Sequence, residues 1–181
     1  AAYLTDRGDE VIRLVRRAPT RPLERLWAPA PGGVDPTVLE DVDAVVHLAA
    51  AGVGDHRWTP AYKDLVLRSR VEGTRAVAEA IARTGRPIRF VCGSAIGYYG
   101  DRDEEILTER SDPGTGFLAE VARAWEGAAE AAHAAGAPVA FARHGLVMGP
   151  KGGAFAKVLR LGRLGLGGPM GDGRQYWSWI T

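Results

Sequence analysis

The order of apolar runs and helical periods in this chain predicts an α/β fold, a doubly wound parallel sheet with helices on both faces. Three observations carry that expectation. The runs Val11–Val15, Ala44–Leu48, Ile88–Cys92 and Val139–Ala142 are short and nearly all apolar rather than alternating, as in strands covered on both faces. Segments of helical period and crossover length separate the later runs. The stretch Ile88 to Gly100, IRFVCGSAIGYYG, delivers a serine and two tyrosines just after a strand, where an open α/β sheet places its chemistry.

Each element has a local reason. Ala1 to Asp6 reads as the last turns of a helix that stops at Gly8. Val11–Val15 is a strand, and Arg25–Trp27 a second, shorter one. The Pro/Gly-rich patch from Ala28 to Gly33 reads as a loop. Ala44–Leu48 is a third strand, followed by the small-residue turn Ala49 to Gly52. Thr59 as N-cap and Pro60 at the first helical position open a long helix. Val66, Val71, Thr74, Val77 and Ile81 form its apolar stripe, and Gly85 and Pro87 end it. After the strand Ile88–Cys92, a helix is expected over Phe117–Ala135, with Gly136 as its stop. Val139–Ala142 is the next strand. A short helix over Ala154–Leu164 leads into the glycine-rich Gly165 to Gly173.

In a sheet of strand order 3-2-1-4-5-6 the first strand is central. This chain opens inside a helix, so Val11–Val15 has no neighbour linking it to Ala44–Leu48. It ends in an apolar run, Trp177 to Thr181, without a stop signal. The expectation is one partial domain over residues 1–181, with the first strand and the loop after it missing, and most of a C-terminal substrate domain absent.

Bulk properties remove several function classes. A net charge of +1 and no clustering of Lys and Arg with aromatics give nucleic-acid binding no support. No apolar run approaches 18 residues, so no membrane segment is expected and the chain reads as cytoplasmic. The single cysteine, Cys92, excludes a disulfide framework, and the histidines lack metal-ligand spacing, so no metal site is assigned. Oligomeric state is left open.

Ser94 is the leading catalytic candidate, with Tyr98 as a possible proton donor and packing as the competing role for at least one of Tyr98 and Tyr99. Gly93-Ser94 does not match a G-x-S-x-G elbow, which argues against a serine hydrolase. Arg16-Arg17 end the first visible strand, where arginine suits the 2′-phosphate of NADP and an acid would suit the ribose of NAD. A solvated basic pair is the alternative there. His47 to Gly52 ends a strand in small residues, which lets a dinucleotide pass close or allows tight packing. Gly73 sits inside the long helix at a cost of roughly 1 kcal/mol relative to alanine, which points to close approach of another backbone. Arg70, beside it, faces either solvent or a cofactor.

The segments HLAA, SRVEGTRAV, SAIGYYGDRDEEILTE, FLAEVARAWE, RHGLVMGPKGGAFAK and RLGLGGPMGDGRQYWSWI together resemble the atypical extended short-chain dehydrogenase/reductases. These are described as NAD-dependent epimerase/dehydratase-like proteins or sugar-nucleotide epimerases. The resemblance spans Gly8 to Thr181. It implies a Rossmann-like fold that binds NADP(H) in preference to NAD(H). It sets the phosphate end of the cofactor near Val15, Arg16 and Arg17, its middle along Leu48, Ala49 and Ala50, a contact from Arg70, and the nicotinamide near Gly145 and Val147. Ser94 fits the family's serine or threonine. The Tyr-x-x-x-Lys pair that usually works with it is absent, since the helix reads Phe117 to Ala122 with Leu118 and Ala122 in those places; the atypical subgroup also lacks it. Two functions follow as expectations: an NADP(H)-binding epimerase or oxidoreductase acting on an unidentified small molecule such as a nucleotide sugar, and a non-catalytic NADP(H)-sensing protein.

Overall fold

The computed structural model describes residues 2–28, 33–149, 153–168 and 171–180. It is an α/β protein whose strands all pair in parallel. In chain order the elements are α1 (Ala2–Asp6), β1 (Arg13–Val15), β2 (Glu24–Leu26), β3 (Ala44–His47), α2 (Pro60–Thr84), β4 (Arg89–Ala95), α3 (Phe117–Gly127), α4 (Glu130–Ala134), β5 (Val139–His144), β6 (Leu146–Val147), α5 (Gly153–Arg163) and β7 (Trp179–Ile180). Single 3₁₀ turns occupy Pro36–Leu39 and Ile96–Tyr99.

Three parallel sheets result, β1-β2, β3-β4-β5 and β6-β7. No ladder joins β1 to β3 among the described residues. In the central sheet, Val45 pairs with Phe90 and Phe90 with Val139, and further along Ser94 pairs with Arg143. The core lies between this sheet and α2, where Phe90, Cys92 and Ile88 meet Val77 and Ile81, all at most 2% exposed. Val46, on the other face of β3, is 54% exposed.

The termini of α2 follow the sequence signals. Thr59 accepts a hydrogen bond from the Tyr62 N–H at 3.2 Å, and Gly85 closes the helix in the left-handed region at φ 64°. Two expectations are revised. The helix expected over Phe117–Ala135 is two helices, α3 and α4. The Ala128 N–H is shared between the carbonyls of Ala124 and Trp125 at 3.1 and 3.2 Å, a tightening of the last turn next to Gly127, a weak helix former. Strand β4 continues past Cys92 to Ala95, so Ser94 lies in the ladder rather than in the turn after it.

Candidate active site

Ser94 is buried, 3% exposed, near the C-terminal end of β4. Its hydroxyl donates to Oε1 of Glu126 on α3 at 2.6 Å. Glu126 is in turn held bidentately by Arg143 of β5, with Nε to Oε1 at 2.8 Å and Nη2 to Oε2 at 2.9 Å. The remaining nitrogen of Arg143, Nη1, donates to the Tyr99 hydroxyl at 2.9 Å and to the Glu109 carbonyl at 3.2 Å. The guanidinium also lies over the Tyr98 ring, 3.6 Å from its centroid. Hydrogen bonding to Glu126 raises the Arg143 pKa further above its ordinary value, so the cation persists at any working pH. Ser94, Tyr98, Tyr99, Glu126 and Arg143 thus form one connected polar cluster.

Backbone geometry fixes this cluster. The Gly114 N–H donates to the Tyr98 carbonyl at 2.9 Å, and a Cβ at Gly114 would sit 2.0 Å from the Tyr99 carbonyl oxygen. Only a glycine lets the acidic loop return this closely under the two tyrosines. They separate into different roles. Tyr99 is buried and its hydroxyl is occupied by Arg143. The Tyr98 hydroxyl makes no hydrogen bond among the described residues.

Trp125, the neighbour of Glu126, anchors α3 to the sheet. Its Nε1 donates to the Thr74 hydroxyl at 2.9 Å, and Arg70 sits 4.9 Å above the ring. A Cβ on Gly93 would meet Trp125 Cζ2 at 3.0 Å. Gly93 is therefore small to admit an indole. Gly73 has a similar reason. Its Cβ would meet His47 Nε2 at 3.3 Å and Trp27 at 3.6 Å, so the close neighbours are side chains and not the backbone that the sequence suggested. Burial lowers the His47 pKa, which favours a neutral ring in this apolar surround.

The residues expected around a cofactor sit at or just past the C-terminal ends of parallel strands. Val15 ends β1 and Arg16 and Arg17 follow it, Leu48, Ala49 and Ala50 follow β3, Gly145 follows β5, and Val147 ends β6. Arg17 is not free: it grips Glu24 with two nitrogens at 2.9 and 2.7 Å. Its bond and charge hold the Glu24 carboxyl down at about 2. Arg16 has no hydrogen bond or ion pair among the described residues. Arg70 is buried and donates to the carbonyls of Ala51 at 3.0 Å and Val66 at 2.9 Å, which orders the turn after Ala49 and Ala50. Gly145 has Ser178 O within 2.7 Å of a would-be Cβ, so it permits the β6-β7 pairing. Val147 pairs with Ile180 in that ladder.

Glu126, Arg143 and Glu24 were not singled out from the sequence. Arg143-His144, a polar pair closing an apolar strand, was the available signal for one of them. An open depression of about 300 Å³ lined by Thr5, Val11, Arg13 and Glu24 contains none of the Ser94 cluster. The described residues hold no cluster of three potential metal ligands and no helix long and apolar enough to cross a membrane.

Comparison with known proteins agrees with the fold. The model of the NAD dependent epimerase/dehydratase family matches residues 1–180. An epimerase family protein of Mycobacterium bovis is 41% identical over 171 residues, which cover 94% of this chain and 56% of the relative. A solved nucleoside-diphosphate sugar epimerase from Corynebacterium glutamicum is 39% identical with a TM-score of 0.81, covering 96% of this chain and 36% of that one. The human epimerase family protein SDR39U1, solved with NADPH, is 30% identical with a TM-score of 0.82, covering 99% and 60%. The chain spans about half the length of the curated relatives it matches.

Proposed function

Since the chain belongs to the NAD dependent epimerase/dehydratase family, we propose that it is the cofactor-binding part of an NADP(H)-dependent, epimerase- or oxidoreductase-like enzyme whose substrate is a small alcohol-bearing molecule such as a nucleotide sugar. The observation that carries the reading is the cluster at the C-terminal end of β4. Ser94 is oriented by Glu126, and Tyr98, whose ring Arg143 covers, belongs to the same cluster with a hydroxyl that makes no hydrogen bond among the described residues. A substrate oxygen between Ser94 and Tyr98 would find hydrogen-bonding groups from both. Arg16, just past β1 and without a hydrogen bond or ion pair among the described residues, suits the 2′-phosphate of NADP, and Arg70 keeps the turn after β3 shaped for the dinucleotide. The human relative solved with NADPH supports the same cofactor choice. The cofactor supplies hydride chemistry, while these side chains bind and orient.

A second reading, an NADP(H) sensor without turnover, is favoured by one observation. The face of α3 toward the site offers Leu118 and buried Ala122 where a tyrosine and a lysine usually stand. Fluorescence titration of the full-length protein with NADPH tests both readings, and absence of binding removes both. A screen of UDP-sugars with NADP⁺ then separates them. Turnover that Ser94→Ala and Tyr98→Phe each reduce supports the enzyme; cofactor binding with no turnover supports the sensor.

A further inference from the structure

Ser94 carries one hydroxyl proton, and the structure commits it. Its Oγ lies 2.6 Å from Glu126 Oε1, and that carboxylate is simultaneously held by two nitrogens of Arg143. A carboxylate in a bidentate guanidinium pair has only acceptors to offer. Ser94 is therefore the donor in this contact, and what remains on its oxygen is lone pairs. The arrangement has little room to relax. The Glu126 and Arg143 side chains are 11% and 18% exposed. Arg143 is pinned further by Tyr99, by the Glu109 carbonyl and by the Tyr98 face.

We propose that Glu126 is a positioning residue that turns Ser94 into a hydrogen-bond acceptor, so that the group received at this point of the site is a ligand hydroxyl and not a carbonyl. The inference rests on the reading that Ser94 faces the substrate. A ligand carbonyl would set lone pair against lone pair unless Ser94 released Glu126, at the loss of a charge-assisted hydrogen bond in a poorly hydrated place. A ligand hydroxyl completes a chain in which it donates to Ser94 and Ser94 donates to Glu126, with each proton used once. Bonds in such a chain polarise one another. The site thus selects the alcohol level of its substrate before any chemistry, and Glu126 does so without touching the ligand.

Two measurements on the full-length protein test this. Neutron diffraction from perdeuterated crystals locates the Ser94 deuteron. A deuteron on the line from Oγ to Glu126 supports the inference, and one directed elsewhere overturns it, whatever the substrate is. The second measurement compares UDP-glucose with its four monodeoxyfluoro analogues in the presence of NADP⁺. Fluorine keeps the size roughly and cannot donate. One analogue is expected to bind about tenfold more weakly. In Glu126→Gln, whose amide can donate to Ser94 and free its hydroxyl, that discrimination falls to within about twofold. Ser94→Ala does the same should Glu126→Gln fold poorly. Discrimination that survives in a folded Glu126→Gln variant overturns the positioning role. Failure of UDP-glucose to bind at all removes the nucleotide-sugar reading only, and the deuteron position then decides the inference.

Discussion

Gly93→Ala isolates the packing that brings α3 to the sheet. The backbone of Gly93 lies in β4 and not in the left-handed region, so alanine meets no conformational penalty there. The penalty is steric. A Cβ would stand 3.0 and 3.2 Å from Cζ2 and Cη2 of Trp125 and 3.4 Å from the His47 carbonyl oxygen. Trp125 cannot step aside freely, because it is 7% exposed, tied to Thr74 through Nε1 and capped by Arg70. Overpacking of this kind costs about 1–3 kcal/mol. The lower entropy of the unfolded chain returns about 0.4–1 kcal/mol. The net expectation is a loss of about 1–2 kcal/mol, equivalent to a Tm about 2–8 °C lower for a chain of this size. The decisive experiment is a double-mutant cycle with Trp125→Phe, followed by urea unfolding. Phenylalanine lacks the ring that carries Cζ2 and Cη2, so Gly93→Ala should be close to neutral in that background. The coupling should then be at least about 1 kcal/mol. Additive effects, within about 0.5 kcal/mol, would show that Gly93 is small for another reason.

Four further outcomes follow from the same structure. Arg16→Ala should weaken NADPH about tenfold or more while leaving NADH within about twofold, measured by fluorescence titration; equal losses would remove the 2′-phosphate role. Arg17→Ala should lower thermal stability in addition, because Arg17 ties the loop after β1 to Glu24; an unchanged melting temperature would contradict that. Glu24 is held down at about 2 by Arg17, so the stability its ionised form contributes is complete above the ordinary carboxylate range and lost as pH falls from about 4.5 toward 2. Acid unfolding of Glu24→Gln should lack that component. Burial pushes the Cys92 thiol up to about 11, so the folded protein should resist thiol reagents at pH 8. Its stability should decline as pH rises from about 9 to 11, a decline absent in Cys92→Ala.

The sequence was most readable where local rules and burial agree. Thr59-Pro60 and Gly85 bound α2 as written, because caps act within a few residues of themselves. The apolar runs became parallel strands, although β3 buries only Val45 and His47 and no residue of β1 or β5 is buried. Contacts across the chain were less readable. Nothing local marks Glu126, 32 residues beyond Ser94, as the partner of that serine, or Arg143 as the residue that holds it. Gly93 and Gly73 were visible as glycines, but the reason for each is an aromatic ring delivered from a distant segment. Arg16 and Arg17 look equivalent in sequence, and only the position of Glu24 tells them apart.

The helix α3 shows how the site keeps a polar partner for Ser94 without the usual pair. Leu118, Ala122 and Glu126 stand at i, i+4 and i+8 and so share one stripe of the helix. The first two places are apolar: Leu118 packs near Gly97 in the 3₁₀ turn, and Ala122 is 2% exposed. The third place, about 6 Å further along the axis, holds the carboxylate that reaches Ser94. Trp125, one residue earlier, sets the depth of this turn against β4 by fitting over Gly93. The polar contribution of α3 therefore comes from Glu126, one turn further toward its C-terminus than Ala122. A cation is still present, but it comes from β5 as Arg143, in register with Ser94. A tyrosine is still present too, from the turn after β4 and not from the helix. The absence of Tyr-x-x-x-Lys in sequence thus marks a different arrangement of serine, tyrosine and cation, with an added carboxylate that decides which way the serine's proton points.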